Sequence, residues 1–268
     1  MCTRQPLSLG RNDLADLISG RLEVDDDFEA VQALYLESGW TDGLPIMPPT
    51  LERVEAMLAS TPLSPQDIIG EIPPNWGSAT VEKLAVNAMM AGCRPEYLPV
   101  IIAAVEAMCD EVFNLYAIQA TTHPCAPLII VNGPICEELG LHGGSGAFGP
   151  GWQPNATIGR AVRLVQLNVG GAHPGVGDMS TQGAPSKYTY CVAENEEANP
   201  WEPLHIERGF RADQSTVTVL AGEPPHNIND HSGSTAEDIL TIIAGAISIT
   251  GANNAYTGGE TLLALGPV

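Results

Sequence analysis

Two glycine-rich segments, LHGGSGAFGPGWQPN (141–155) and GGAHPGVGDMSTQGAPSK (170–187), enclose one helix signal running from Asn155 to Val169. Glycine has no Cβ, so runs of this kind either form tight turns or let backbone come close to another group. Few globular domains spend this much chain on glycine without using the close approach, and the segment therefore points to a small-molecule site.

Asn155 is a good helix N-cap, and the first-turn N–H groups of the helix would point back toward the first glycine loop. A helix N-terminus favours an anion. The spacing thus predicts a carboxylate or phosphate site formed by Gly143, Gly144, Ser145, Asn155 and Arg160. The alternative is a set of tight turns beside a surface arginine. The glycine spacing matches neither the Walker loop nor the dinucleotide fingerprint.

Hydrophobic residues make up 44% of the 268-residue chain and charged residues 16%, so a sizeable core is expected. The net charge is −21, from 11 Lys+Arg against 32 Asp+Glu. Without a basic run, binding to nucleic acid or to an anionic membrane is excluded as a reading. Residues 1–20 lack a signal-peptide pattern, and the apolar stretch 239–249 is too short to span a bilayer. The six cysteines (2, 93, 109, 125, 136 and 191) show no CxxC spacing, which fits neither a zinc ribbon nor a disulfide scaffold. A cytoplasmic protein is expected.

Residues 11–38 read as two short acidic helices separated near Gly20, and residues 1–35 as a helical extension. The remainder, 36–268, reads as a single domain. Thr50 leads into a helix at 51–58, the proline-bearing 59–78 reads as an extended loop, and helical spacing covers 79–91. Pro95 opens a further helix, apolar almost all round over 98–109 and therefore buried. Ala126–Val131 has the length and composition of a buried strand. Tyr188–Val192, Thr216–Leu220 and Thr261–Val268 are further strand candidates, and Ser234 with Glu237 forms a capping box before 239–249. The fold class is α/β: a mixed sheet with flanking helices and long glycine-rich loops.

Ligands gather at strand ends in α/β folds. His123 and Thr122 stand just before the strand at 126–131, and Asn132 stands at its end. His123 is a candidate acid–base or metal-binding group. Cys125 could be a nucleophile but reads better as a small buried residue. The segment PHNINDH (225–231) concentrates His226 and His231, which could hold a divalent metal if the loop folds back; the alternative is a polar loop of Asn and Asp turns. Residues 201–209 read as an extended chain in which His205 and Glu207 share a face and could act as an acid–base pair, the simpler reading being an exposed strand edge.

The strings WTDGLPIMPPTLERVEAML (40–58), KLAVNAMMAGCRPEYLPVIIAAVEAM (83–108), TTHPCAPLIIVNGP (121–134), NATIGRAVRLVQLNVGG (155–171), PWEPLHIERGF (200–210) and PHNINDH (225–231) together resemble a bacterial family. Its members accompany, or are fused to, small proteins with a selenocysteine-or-cysteine–Gly–Ser–Cys (UGSC) motif. The resemblance spans about residues 36–265 and implies thiol or selenol chemistry on a small molecule. This chain has no Cys-Gly-Ser-Cys, so the reactive thiol would come from another polypeptide. The expectation is the large, substrate-binding subunit of a two-component, hetero-oligomeric enzyme. It would make or break a carbon–heteroatom bond in a small anionic molecule, with proton transfer by His123, His226 and His231. Two other readings stand beside it: a self-contained metal-dependent lyase or hydrolase with His226 and His231 as ligands, and a non-catalytic scaffold subunit.

Overall fold

The computed structural model describes residues 2–4 (backbone only), 17–256 and 261–266. The described chain forms two compact units, Met1–Pro224 and Pro225–Val268. The first unit runs β1 (Cys2–Arg4), α1 (Phe28–Glu37), α2 (Leu51–Leu58), β2 (Ile68–Ile72), β3 (Gly77–Thr80), α3 (Val81–Ala91), α4 (Leu98–Met108), α5 (Leu115–Ala120), β4 (Ala126–Asn132), α6 (Ile135–Leu139), α7 (Gln153–Asn168), β5 (Cys191–Ala193), α8 (Leu204–Glu207) and β6 (Thr216–Gly222). The second unit holds α9 (Ala236–Ile247) and α10 (Asn253–Tyr256).

The main sheet has the order β1-β6-β4-β5. It is mixed: β4 runs parallel to β5 and antiparallel to β6, with Ala126 opposite Gly222 and Asn132 opposite Thr216. Every residue of β4 is buried, which is why it reads as an unbroken apolar run rather than an alternation. Side chains on a strand alternate between faces. Ile129 and Val131 accordingly enter the large core with α3, α4 and α7, while Leu128 and Ile130 enter a small cluster with Tyr190, Val192, Ala147 and Leu204. Helices thus cover one face of the sheet, and loops with α8 cover the other.

α4 is buried on nearly all sides, as its apolar sequence requires. α3 is capped by the Thr80 side chain and ends at Gly92 in the left-handed conformation. α7 packs along α3 and β5. Its Gly159 lies so close to the chain at 189–190 that a Cβ there would meet Thr189 Oγ1 and the Tyr190 backbone nitrogen.

Several expectations change. The proline-bearing 59–78 is not a plain loop: β2 and β3 pair as an antiparallel hairpin, and the turn prolines sit between the strands. Of the two expected N-terminal helices, the second is found among the described residues as α1. Asp27 caps it by accepting from Ala30 N at 2.8 Å. The first expected helix falls largely on 11–16, outside the described residues, and 17–20 is not helical. Residues 204–207 turn into α8 instead of running extended. The capping box of α9 is Thr235 with Asp238, one residue later than expected. The described part of the C-terminal segment, 261–266, forms no strand.

Because Gly159 faces backbone, Gly159→Ala should cost about 1–3 kcal/mol by overpacking, against the up to about 1 kcal/mol that alanine otherwise gains in a helix. Urea denaturation measures this, and an unchanged or raised midpoint would contradict the close approach.

Candidate functional site at the carboxyl end of β4 and β5

Parallel β4 and β5 end side by side, the position at which open α/β sheets bind ligands. Asn132 closes β4, fully buried. Glu194 and Glu196 follow β5 directly. The Asn132 amide nitrogen donates to both carboxylates, to Glu194 Oε2 at 2.5 Å and Glu196 Oε1 at 2.8 Å. Two like charges so near each other require donors. Glu194 also accepts from Leu204 N (2.9 Å) and the Asn199 amide (2.6 Å). Glu196 Oε1 accepts from Gly133 N at 2.7 Å.

Behind Glu196 lies His205, 0% exposed, with Nδ1 3.6 Å from Glu196 Oε1. Neither ring nitrogen has a hydrogen-bond partner. Asn132 Oδ1 and the Thr216 hydroxyl, on residues paired across β4 and β6, are likewise buried without partners. A buried, unsatisfied polar group costs roughly 1–3 kcal/mol, and four such atoms concentrate on residues at this strand end. Glu196 alone of the pair Glu196–His205 reaches solvent, its side chain being 29% exposed. Among the described residues its Oε2 makes no hydrogen bond.

The first glycine segment borders this end. Ala193 N donates to the His142 carbonyl at 3.2 Å. A Cβ on Gly143 would strike the carbonyl of Ala193 at 2.5 Å and the backbone of Glu194 and Asn195, so glycine is required there by close approach. His142 stacks on Trp152 at 3.6 Å and its Nε2 meets the Ser145 carbonyl at 3.0 Å, beside Gly144.

Asn155 is not the N-cap of α7. The helix starts two residues earlier, after Trp152. The Asn155 amide instead bridges the backbone of His142, accepting from its N–H and donating to its carbonyl, both at 2.9 Å. Nor does Arg160 turn toward the glycine loop. Its guanidinium forks onto Asp42 with two bonds of 2.8 Å and donates to the carbonyls of Leu44 and Pro45. It fastens the 41–45 turn to α7.

Of the sequence-selected residues, Asn132, Gly143, Gly144, Ser145 and Asn155 therefore gather around the carboxyl end. Thr122 and His123 lie at the opposite end of β4. His123 Nδ1 stands 3.3 Å from Glu223 Oε1, and the Thr122 carbonyl accepts from Thr181 N at 3.0 Å. His226 and His231 belong to the second unit, where Asp230 accepts from the N–H groups of Ser232 and Gly233 in the manner of a turn. Among the described residues, no group of three or more His, Cys, Asp or Glu is arranged to hold a metal ion.

Sequence reasoning passed over Glu194 and Glu196 and paired His205 with the wrong carboxylate. The available signal was the acidic run Glu194–Glu197 immediately after a short apolar strand.

Comparison with protein-family models, characterised proteins and solved structures gives no match for this chain.

Burial alone would raise the Asp42 carboxyl. The hydrogen bonds and charge of Arg160, with bonds from Leu44 N–H and the Thr41 hydroxyl, outweigh it and hold the group below the ordinary range. A depressed carboxylate contributes stability above its unfolded pKa of about 4, and this is lost as pH falls through the lower folded value. Arg160→Ala should cost about 3–5 kcal/mol at neutral pH by stranding a buried carboxylate. In denaturant titrations at several pH values, the gap between wild type and Asp42→Asn should close as the solution is acidified below about pH 4. A gap independent of pH would refute the ion pair's role.

Proposed function

We propose that this chain is the substrate-binding subunit of a two-component enzyme, with Glu196 as the residue that exchanges a proton with a small molecule. The substrate would lie against the solvent-reaching side of Glu196, at the end of β4 and β5. Glu196 Oε2 takes the proton, while Oε1 is held by Gly133 N–H and Asn132. His205 sits behind as a positioning residue whose imidazole answers the change in charge on Glu196. The observation that carries the reading is this buried imidazole, with no hydrogen bond of its own, 3.6 Å from a carboxylate at the end of two parallel strands. Catalytic hydrogen bonds are often long before substrate binds. Two carboxylates disfavour a negative group beside them, so the substrate atoms at this end would be neutral or cationic.

The state of the thiols supports a second component. Burial raises Cys93 to about 12. It also raises Cys109 to about 11, aided by Glu106 and Glu71, and Cys136 to about 12, aided by Glu196 and Glu194. Cys191 and Cys125 are raised as well, again chiefly by burial. A thiol with a raised pKa is a poor nucleophile at neutral pH. This supports a reading in which a separate small protein with the Cys-Gly-Ser-Cys or selenocysteine motif supplies the nucleophile, as the family resemblance implies. The metal-dependent alternative, centred on His226 and His231, has no observation that favours it over this one.

Proton exchange tests the proposal. Wild-type protein, alone and with a Cys-Gly-Ser-Cys partner, is incubated in D₂O with a panel of small carbon acids, and deuterium uptake is read by mass spectrometry. Uptake into one class of compound is expected, reduced roughly 10²–10⁴-fold by Glu196→Gln. His205→Asn should shift the pH profile of the exchange while leaving Glu196 in place. A folded Glu196→Gln that exchanges as fast as wild type would exclude the role, as would wild-type protein that exchanges none of the panel under either condition.

A further inference from the structure

The opposite end of β4 holds a second polar arrangement that the proposed proton exchange does not use. The second glycine segment folds back there, with Met179 N donating to the Gln119 carbonyl and Thr181 N to the Thr122 carbonyl. Its last residues, Ser186 and Lys187, line a narrow crevice, open to solvent, together with Cys125, Arg163 and Tyr190. Arg163 and Lys187 are two of only 11 basic residues in the chain. Both are largely buried, with side chains 10% and 12% exposed.

The two cations share one counter-charge. Lys187 Nζ donates to both oxygens of Asp178, at 3.0 and 2.8 Å, and Arg163 Nη2 lies 3.2 Å from Asp178 Oδ2. Arg163 Nη2 also donates to the Ala172 carbonyl at 3.2 Å. Lysine has three donors and arginine five. Among the described residues, Arg163 Nε and Nη1 make no hydrogen bond, and Lys187 keeps one N–H beyond its two to Asp178. The Ser186 hydroxyl in the crevice wall is buried with no partner. Two buried cations against one carboxylate leave an excess positive charge around Asp178, although the Glu223 carboxylate also lies close enough to act on Cys125.

We propose that this crevice binds the oxyanionic head group, carboxylate or phosphate, of a small molecule. Lys187 and Arg163 supply charge and donors, and the Ser186 hydroxyl supplies a further hydrogen bond. The site is distinct from the one at the carboxyl end of β4, since β4's seven residues at about 3.3 Å each separate the two by roughly 20 Å. The crevice is narrow, with room for about one water-sized group, so one oxygen of the head group would enter and the rest of the ligand would stay outside. Asp178 draws the two cations together and offsets one of their charges, and with Glu223 acting on Cys125 this favours a monoanionic face over a dense polyanion.

Cys125 reports on the site because it lines the same crevice. Alkylation of each cysteine by iodoacetamide, a neutral reagent, is followed by peptide mass spectrometry with increasing inorganic phosphate or acetate, against chloride at matched ionic strength. Saturable protection of Cys125 is expected, with an apparent Kd on the order of 1 mM for a head group of a few atoms. Cys109 should not be protected. Within each variant the ratio of rates with and without anion is compared, because Lys187 also affects the thiol. Lys187→Gln should weaken protection roughly ten- to hundredfold, the loss of a charged hydrogen bond. Ser186→Ala, which leaves both ion pairs intact, should weaken it several-fold without lowering Tm. Protection by phosphate alone or acetate alone assigns the head group. No protection, protection equalled by chloride, or protection unchanged in both variants would overturn the proposal.

Discussion

The double cover of β4 is the constraint on which the first unit depends. A seven-residue strand with no exposed position must be roofed on both faces, and its backbone groups must be paired on both edges. β6 and β5 supply the edges. α4 and α7 supply one roof, and α8 with the loop around Ala147 supplies the other. Once β4 is fixed, the polar residues at its two ends are brought to positions where they meet partners far away in the chain. At its carboxyl end, Asn132 reaches residues 62 and 64 positions on.

Charge is used inside this molecule with economy. In a chain of net charge −21, surface repulsion is the rule, yet three of the few cations are turned inward. Arg160 locks the 41–45 turn through Asp42, and Arg163 with Lys187 converges on Asp178. In the first case, guanidinium and carboxylate match one to one and the arginine's remaining contacts are backbone carbonyls, so the group is spent on the fold. In the second, two cations face one carboxylate beside an open crevice. Stoichiometry, rather than the presence of arginine, separates a structural pair from a binding arrangement.

The carboxyl end follows a different logic. Glu194 and Glu196 are tolerated together because Asn132, Gly133, Asn199 and Leu204 aim N–H groups at them. Those donors hold the carboxylates but leave the imidazole of His205 without a partner. A buried ring of this kind costs the fold stability, and the proposed proton exchange is what would give it a use. The thiols are treated in the opposite manner: burial raises each of the five described free cysteines and outweighs the charge of Arg160 at Cys93 and of Lys187 at Cys125.

The amino-acid sequence by itself determined the local elements whose cause is local. The helix at 51–58, the buried helix after Pro95 and the strand at 126–131 all follow from apolar period and turn chemistry within a dozen residues. The α/β class follows from the same signals, as does the choice of Asn132 as a strand-end residue. Boundaries shifted at α7, whose N-cap position is Trp152, three residues before the expected Asn155, and at α9, capped by Thr235 one residue after Ser234. What only the tertiary structure decided is which side chain meets which. Asp42 and Arg160 are separated by 118 positions, and Glu196 meets a histidine on a short helix that reads as an extended edge. Arg163 and Lys187 converge on an aspartate within a glycine loop whose path no period encodes. Such meetings are set by strand register and by the packing of loops on the sheet, and neither leaves a mark in the local pattern of residues.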